Sequence, residues 1–257
     1  MRFDRAGIVR SFRHRLRSGS PLVGAWMQVA SSDFAEIIGD AGFDWAAVDM
    51  EHGSFTRSQL HDIFRALELG GTAPFARIAE PLPILCQQVL DAGASGVIIP
   101  RVTSATQLRE LVAGCNWPPS GKRGVGFSRA NLYGKYFEMY AAEAQQSFVV
   151  AQIESAEAVA QLDEICSVHG LDAVMVGPYD LSASLGHTGE LDHPEVQKAV
   201  KRVIESCRAA GVPSGLHVVQ PNPDQLRHAI SDGHQFLAYG TDAIFMSVAV
   251  QNPIQPR

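Results

Sequence analysis

The sequence predicts an α/β fold, a (β/α)8 barrel with an extra N-terminal helix, on three observations. Apolar, β-rich runs alternate with amphipathic helical runs from one end of the chain to the other, the pattern of parallel βαβ units. There are eight such β-rich runs, the number that closes a barrel, whereas an open doubly wound sheet usually carries fewer. The chain has 257 residues, close to the ~250 that a barrel of this kind takes. No linker or shift in composition interrupts it, so residues 1–257 read as one domain.

The elements follow in order. The stretch MRFDRAGIVRSFRHRLRSG reads as an amphipathic helix with an arginine-rich face, expected to lie solvated on the surface. It lacks the apolar centre of a signal peptide. The strand candidates are LVGAWMQV (22–29), WAAVDME (45–51), PFARIA (74–79), GVIIPRV (96–102), FVVAQIE (148–154), DAVMVG (172–177), SGLHVV (214–219) and QFLAYG (235–240). Helical patterns such as SDFAEIIGDAG, LPILCQQVLDAG and HPEVQKAVKRVIESCRAAG lie between them, several ending in glycine, a common helix stop. Thr56 with Gln59 reads as a capping box. One long irregular stretch, residues 118–147, is expected after the fourth strand at the barrel's C-terminal mouth, where long loops are usually functional. Its glycines spell GxxGxG and do not join a strand to a helix, so a dinucleotide site is disfavoured.

Composition narrows the function. Hydrophobic residues make up 46% and charged residues 19%, enough for a large core. A net charge of −6 with no basic stripe argues against a nucleic-acid partner. No apolar run reaches the ~20 residues of a membrane span. Cys86, Cys115, Cys166 and Cys207 are scattered without a CxxC and read as buried thiols of a cytoplasmic protein. Imine chemistry needs a desolvated lysine. The lysines are Lys122, Lys135, Lys198 and Lys201, and none falls on an expected strand.

Polar residues at the C-terminal ends of barrel strands read as active-site residues. Here they are Gln28, Asp49, Glu51, His52, Arg77, Arg101, Gln152, Glu154, Tyr179, Asp180 and His217. Each has a structural alternative: an Asp can cap a helix, Arg77 can pair with a carboxylate, and His217, inside an apolar strand, reads as a satisfied core histidine. Taken together they favour function, because ionised groups are rarely buried without a partner or a role. Gln152 and Glu154 are two apart and share a face of their strand, and Asp180 follows the next strand. Two carboxylates with an amide suit a hard divalent cation, Mg²⁺ or Mn²⁺, acting as a Lewis acid.

Four stretches, VDMEHG (48–53), LDAGASGVIIP (90–100), WPPSGKRGVG (117–126) and QIES with GLDAVMVGPYDLSASLG (152–186), resemble the HpcH/HpaI family of metal-dependent, class II pyruvate aldolases. The resemblance covers nearly the whole chain. It implies a barrel that cleaves or forms 4-hydroxy-2-oxoacids, with pyruvate as one product and an aldehyde as the other. It implies Glu154 and Asp180 as metal ligands, Arg77 on the oxo group of pyruvate, and His52 as the catalytic histidine with Asp49 and Asp91 near it. Gln152 and Tyr179 would line the substrate site, while Glu51 has no role to carry over. The family also implies a trimer-based homo-oligomer, a trimer or a hexamer, with a last helix exchanged between subunits. This chain differs in three places: Arg101 follows Pro100 where an apolar residue is usual, Tyr179 stands where Ala is common, and the tail AIFMSVAVQNPIQPR is short.

Arg101 is open to two readings, a salt bridge to Glu154 or Asp91, or a fork for a carboxylate on the substrate. The function also keeps an alternative, a citrate-synthase-like transferase that condenses an oxoacid with an acyl-CoA on the same scaffold. In either case the partner is a small oxoacid.

Overall fold

The eight expected strands all form, and each pairs in parallel with the next until the last closes on the first. They are β1 (Leu22–Met27), β2 (Trp45–Asp49), β3 (Ala73–Arg77), β4 (Gly96–Ile99), β5 (Phe148–Ile153), β6 (Ala173–Val176), β7 (Ser214–Val218) and β8 (Phe236–Thr241). The computed structural model describes residues 3–250 and 252–254; the rest of the N-terminal stretch and of the tail lies outside them. The helices are α1 (Arg5–Arg17), α2 (Ser32–Asp40), α3 (Leu60–Gly70), α4 (Pro83–Ala92), α5 (Ala105–Cys115), α6 (Phe137–Glu143), α7 (Ala156–Ala160), α8 (Leu162–Cys166), α9 (Pro178–Ser184), α10 (Pro194–Ala210), α11 (Pro223–Asp232) and α12 (Asp242–Ala249). Glycines 71, 93, 211 and 233 end α3, α4, α10 and α11 in the left-handed conformation, which a residue without a Cβ adopts at little cost. Among the described residues no helix is long and apolar enough to cross a membrane.

The two-residue period of the strands sorts the core into two layers. Ala46 and Val48 belong to the outer layer packed under the helices, while Trp45 and Ala47 point into the barrel. The barrel interior is aromatic. Trp45 stacks on Phe236 with centroids 4.4 Å apart, and Phe75 meets Phe148 edge-on at 5.4 Å. Each such fully buried ring contributes roughly 2–3 kcal/mol through the water it sheds. Near the C-terminal ends the inward series turn polar. Ala47 is followed by Asp49, Phe75 by Arg77, Val150 by Gln152 and Trp26 by Gln28.

Helix α1 does not lie solvated on the surface. Its Val9, Phe12 and Leu16, spaced for one helical face, are buried against the barrel's N-terminal end, with Phe12 6.4 Å from Phe148. Its arginines anchor it: Arg13 donates to both oxygens of Asp172 at 2.6 and 2.9 Å, and Arg15 pairs with Asp44. Arginines that looked like a solvated face therefore clamp the residues leading into β6 and β2.

Two further expectations are corrected. Helix α3 starts at Leu60, and Thr56 with Gln59 forms a turn ahead of it. Half of the expected box forms, since Gln59 Oε1 accepts the Thr56 N–H at 2.8 Å, but the Thr56 hydroxyl donates to the same oxygen instead of accepting the Gln59 N–H. The stretch 118–147 follows α5 and leads into β5, so it lies at the N-terminal end of the barrel and not at the mouth. It includes α6 and a 3₁₀ turn at Arg129–Asn131. Arg129 pairs with Glu68 at 2.5 Å, and Arg123 donates to the Tyr140 hydroxyl at 2.6 Å, so the segment is fastened beneath the barrel.

Candidate active site

Asp49 is the hub of the mouth. It ends β2 fully buried and lies in register with Arg77 on β3. Arg77 grips it with two bonds, Nε to Oδ1 at 3.0 Å and Nη2 to Oδ2 at 2.7 Å. The same carboxylate accepts from Trp26 Nε1, from Gln28 Nε2 and from the backbone N–H groups of Glu51 and His52. Burial alone would raise the Asp49 pKa, but the bonds and charge of Arg77, with the His52 and Trp26 N–H groups, hold it down at about 2.

Arg77 is shared. Its Nη1 lies 3.0 Å from Glu51, and its guanidinium sits over the Trp26 ring at 5.2 Å. Five N–H groups minus three spent on Asp49 and Glu51 leave one on each terminal nitrogen. Glu51, which has no role by resemblance, bridges Arg77 to Arg101, whose Nε lies 3.4 Å away. Burial raises the Glu51 pKa against the pull of Arg77 and His52.

Arg101 is half-exposed, and its Nη2 donates to the carbonyl of Ala79 at 2.7 Å. Its ionic partner is Glu51, neither Glu154 nor Asp91, because its backbone takes a left-handed turn at φ 52° after Pro100. The turn sends the Arg101 N–H to Glu154 Oε1 at 2.5 Å. Glu154 is buried just past β5, and its Oε2 accepts from Gln152 Nε2 at 2.6 Å. Burial, Glu51 and Asp180 drive the Glu154 carboxyl up to about 7, against the Arg101 N–H. Asp180 and Tyr179 stand exposed in the first turn of α9.

The oxygens here fit a hard cation. The Gln152 Oε1 is buried without a hydrogen-bond partner, and Glu154 carries its raised pKa beside a second carboxylate. A Cβ at Gly177 would come within 2.6 Å of Glu154 Oε2 and 2.8 Å of Gln152 Nε2, so only glycine leaves this cradle open. The GPYD stretch carried that signal in the sequence.

Two expected site residues stand differently. Asp91 lies in the last turn of α4, away from the strand ends, with Arg123 3.7 Å from it, so within one chain it is not brought to His52. Asp49 is near His52, but it accepts the backbone N–H and leaves the exposed imidazole to the mouth. His217 stacks on Trp26 at 4.9 Å with its Nε2 3.1 Å from the Gly240 carbonyl, as a satisfied core histidine should. Sequence reasoning missed Asp242, which accepts from the backbone N–H groups of Gln28 and Val29 at 2.8 and 3.0 Å and ties the end of β1 to α12.

Comparison with known proteins places the chain in a family. The family model for HpcH/HpaI aldolase/citrate lyase matches residues 22–249. The chain belongs to that family. It is an aldolase, a carbon–carbon lyase acting on a small molecule. A 2-keto-3-deoxy-L-rhamnonate aldolase from Shigella sonnei is 38% identical over 246 residues, 95% of this chain and 91% of that protein. Among solved structures, an HpcH/HpaI aldolase/citrate lyase family protein from Burkholderia cenocepacia J2315 matches with a TM-score of 0.88 and 31% identity, covering 93% of this chain and 95% of that one. A citrate synthase, SbnG, matches with a TM-score of 0.79 and 27% identity, covering 92% and 94%.

Proposed function

We propose that this aldolase reversibly cleaves a 4-hydroxy-2-oxoacid to pyruvate and an aldehyde, assisted by a divalent metal ion. The observation that carries the reading is the pairing of an Arg77 held by Asp49 with the buried oxygen cradle of Glu154, Gln152 and Gly177 in one mouth. The name of the Shigella relative supports the substrate class, since its substrate is a 2-keto acid.

Glu154 and Asp180 would hold the cation, Mg²⁺ or Mn²⁺, which supplies a Lewis acid beside the oxoacid. The two remaining Arg77 N–H groups donate to the 2-oxo oxygen and stabilise the negative charge that develops on it. Such preorganised donors usually give the largest single contribution to catalysis. Asp49 is a positioning residue. Six hydrogen bonds fix it, and it fixes Arg77 and the turn that carries His52. The exposed His52 imidazole takes the proton from the 4-hydroxyl in cleavage, directly or through a water, and returns it to the aldehyde in condensation. Tyr179 and Arg101 flank the acceptor side. Lys198 and Lys201 lie on α10 and Lys122 and Lys135 in the segment leading to β5, which supports chemistry without an imine. A homo-oligomer, a trimer or a hexamer, belongs to the same proposal.

A screen of 4-hydroxy-2-oxoacids of different chain length, read by pyruvate release, tests the reading. Borohydride with pyruvate should leave the protein mass unchanged. A pyruvyl adduct on a lysine, or pyruvate release undiminished after exhaustive chelation, would overturn it. Thiol release from acetyl-CoA with oxaloacetate would instead point to the transferase chemistry of the citrate synthase relative.

A further inference from the structure

The segment from Leu185 to His193 joins α9 to α10 at the rim of the mouth. Its backbone turns at three-residue steps: the Glu190 N–H donates to the His187 carbonyl at 2.9 Å, and the His193 N–H to the Glu190 carbonyl at 3.0 Å. The two successive turns bring the side chains of His187, Glu190 and His193 together. Gly186 and Gly189 have φ of 85° and 80°, and let the chain turn tightly around them. The two imidazoles stack with centroids 3.4 Å apart. One ligand atom from each of the three side chains lies within 4.8 Å of the others.

The surroundings favour a cation. His187 Nε2 lies 3.4 Å from Glu195 Oε2, the carboxylate–imidazole contact that orients metal-binding histidines and leaves the other ring nitrogen with its lone pair. Two carboxylates, Glu190 and Glu195, thus stand beside the two rings. His193 Nδ1 accepts the Glu195 N–H over a long 3.3 Å, a contact weak enough for a metal bond to replace.

We propose that His187, Glu190 and His193 form a second metal site, distinct from the carboxylate cradle, that takes a borderline divalent cation of the Zn²⁺ class. Two nitrogens and one oxygen match Zn²⁺, Co²⁺ or Ni²⁺ and not Mg²⁺. The site staples the loop to the mouth. The Gly189 N–H donates to Ser182 Oγ at 2.9 Å, and that hydroxyl donates to the Tyr179 carbonyl at 2.7 Å. A cation that fastens residues 187–193 therefore restrains the helix carrying Tyr179 and Asp180.

The test is a calorimetric Zn²⁺ titration of the full-length protein in excess Mg²⁺, which occupies the carboxylate cradle and competes poorly for imidazole. One tight equivalent is expected in the parent protein and in Glu154→Ala. His187→Ala and Glu190→Ala should each weaken it at least tenfold. Zn²⁺ should raise the melting temperature of the parent and not of His187→Ala, whose circular dichroism and Mg²⁺-supported activity should match the parent and establish that it folds. Co²⁺ in place of Zn²⁺ should give visible absorption bands that disappear in His187→Ala. Equal Zn²⁺ affinity in His187→Ala and the parent, loss of the equivalent with Glu154→Ala alone, or no Zn²⁺ uptake by the Mg²⁺-saturated parent would each overturn the proposal.

Discussion

The two ends of the barrel use the same residue types to opposite effect. At the N-terminal end Arg5, Arg13, Arg15, Arg123 and Arg129 face Glu68, Glu143, Asp44, Asp91 and Asp172, five charges against five. At the mouth, among the described residues, Arg77 and Arg101 face Asp49, Glu51, Glu154, Asp180 and Asp242, so five carboxylates against two arginines leave three negative charges over. The first arrangement fastens α1 and the 118–147 segment under the barrel. The second keeps Glu154 buried and undercompensated, a state a cation relieves and an isolated charge does not tolerate. What separates scaffold from site is whether the charges balance.

The largest test of this contrast is Glu154→Ala. Aldol activity should fall by at least about 10³-fold, the scale of losing a main electrostatic contributor, and EDTA should do the same to the parent with rescue by Mg²⁺ or Mn²⁺. Retention of most of the activity would mean that the charge surplus has no catalytic meaning.

Breaking one arginine pair at each end sharpens the comparison. Arg77→Met leaves Asp49 buried and unpaired, so about 3–5 kcal/mol of stability should be lost together with nearly all activity. Arg13→Met at the opposite end exposes Asp172 to partial solvent, and urea unfolding should report a loss of about 1–3 kcal/mol, with kcat/KM unchanged. A large activity loss from Arg13→Met would contradict the division between the ends.

Histidines at the two ends respond alike to acid. Burial holds both His217, at the mouth, and His234, just before β8 at the other end, down at about 4. A pKa below the unfolded value near 6.5 means that the unfolded chain binds protons first. Stability should therefore fall as pH drops from about 6.5 to about 4, by up to about 3 kcal/mol for each histidine. His234→Leu should flatten part of that decline in urea midpoints measured against pH, and an unchanged slope would show that another group carries it.

The smallest expected effect is selective. Arg101→Met should lower kcat/KM about tenfold for a substrate whose aldehyde half carries a carboxylate, while 4-hydroxy-2-oxopentanoate changes little. The half-exposed guanidinium motivates this, since its bonds to Ala79 and Glu51 leave N–H groups free for an anion. An equal fall for both substrates would assign Arg101 to holding Glu51.

Sequence alone determined the local structure and the polar rim. A period of two in WAAVD and of 3.6 in the helices is a property of neighbouring residues, and so are the glycine stops of α3, α4, α10 and α11. The same alternation placed Asp49, Arg77 and Gln152 on inward faces at the strand ends. Which charge meets which was decided by the tertiary structure alone. Glu51 bridges Arg77 on β3 and Arg101 in the turn after β4, Asp91 faces Arg123 instead of His52, and α1 plugs the barrel instead of lying in solvent. Those pairings join residues far apart in the chain, and no periodic pattern encodes them. They follow from barrel closure, which sets strand register and so brings each side chain to its partner.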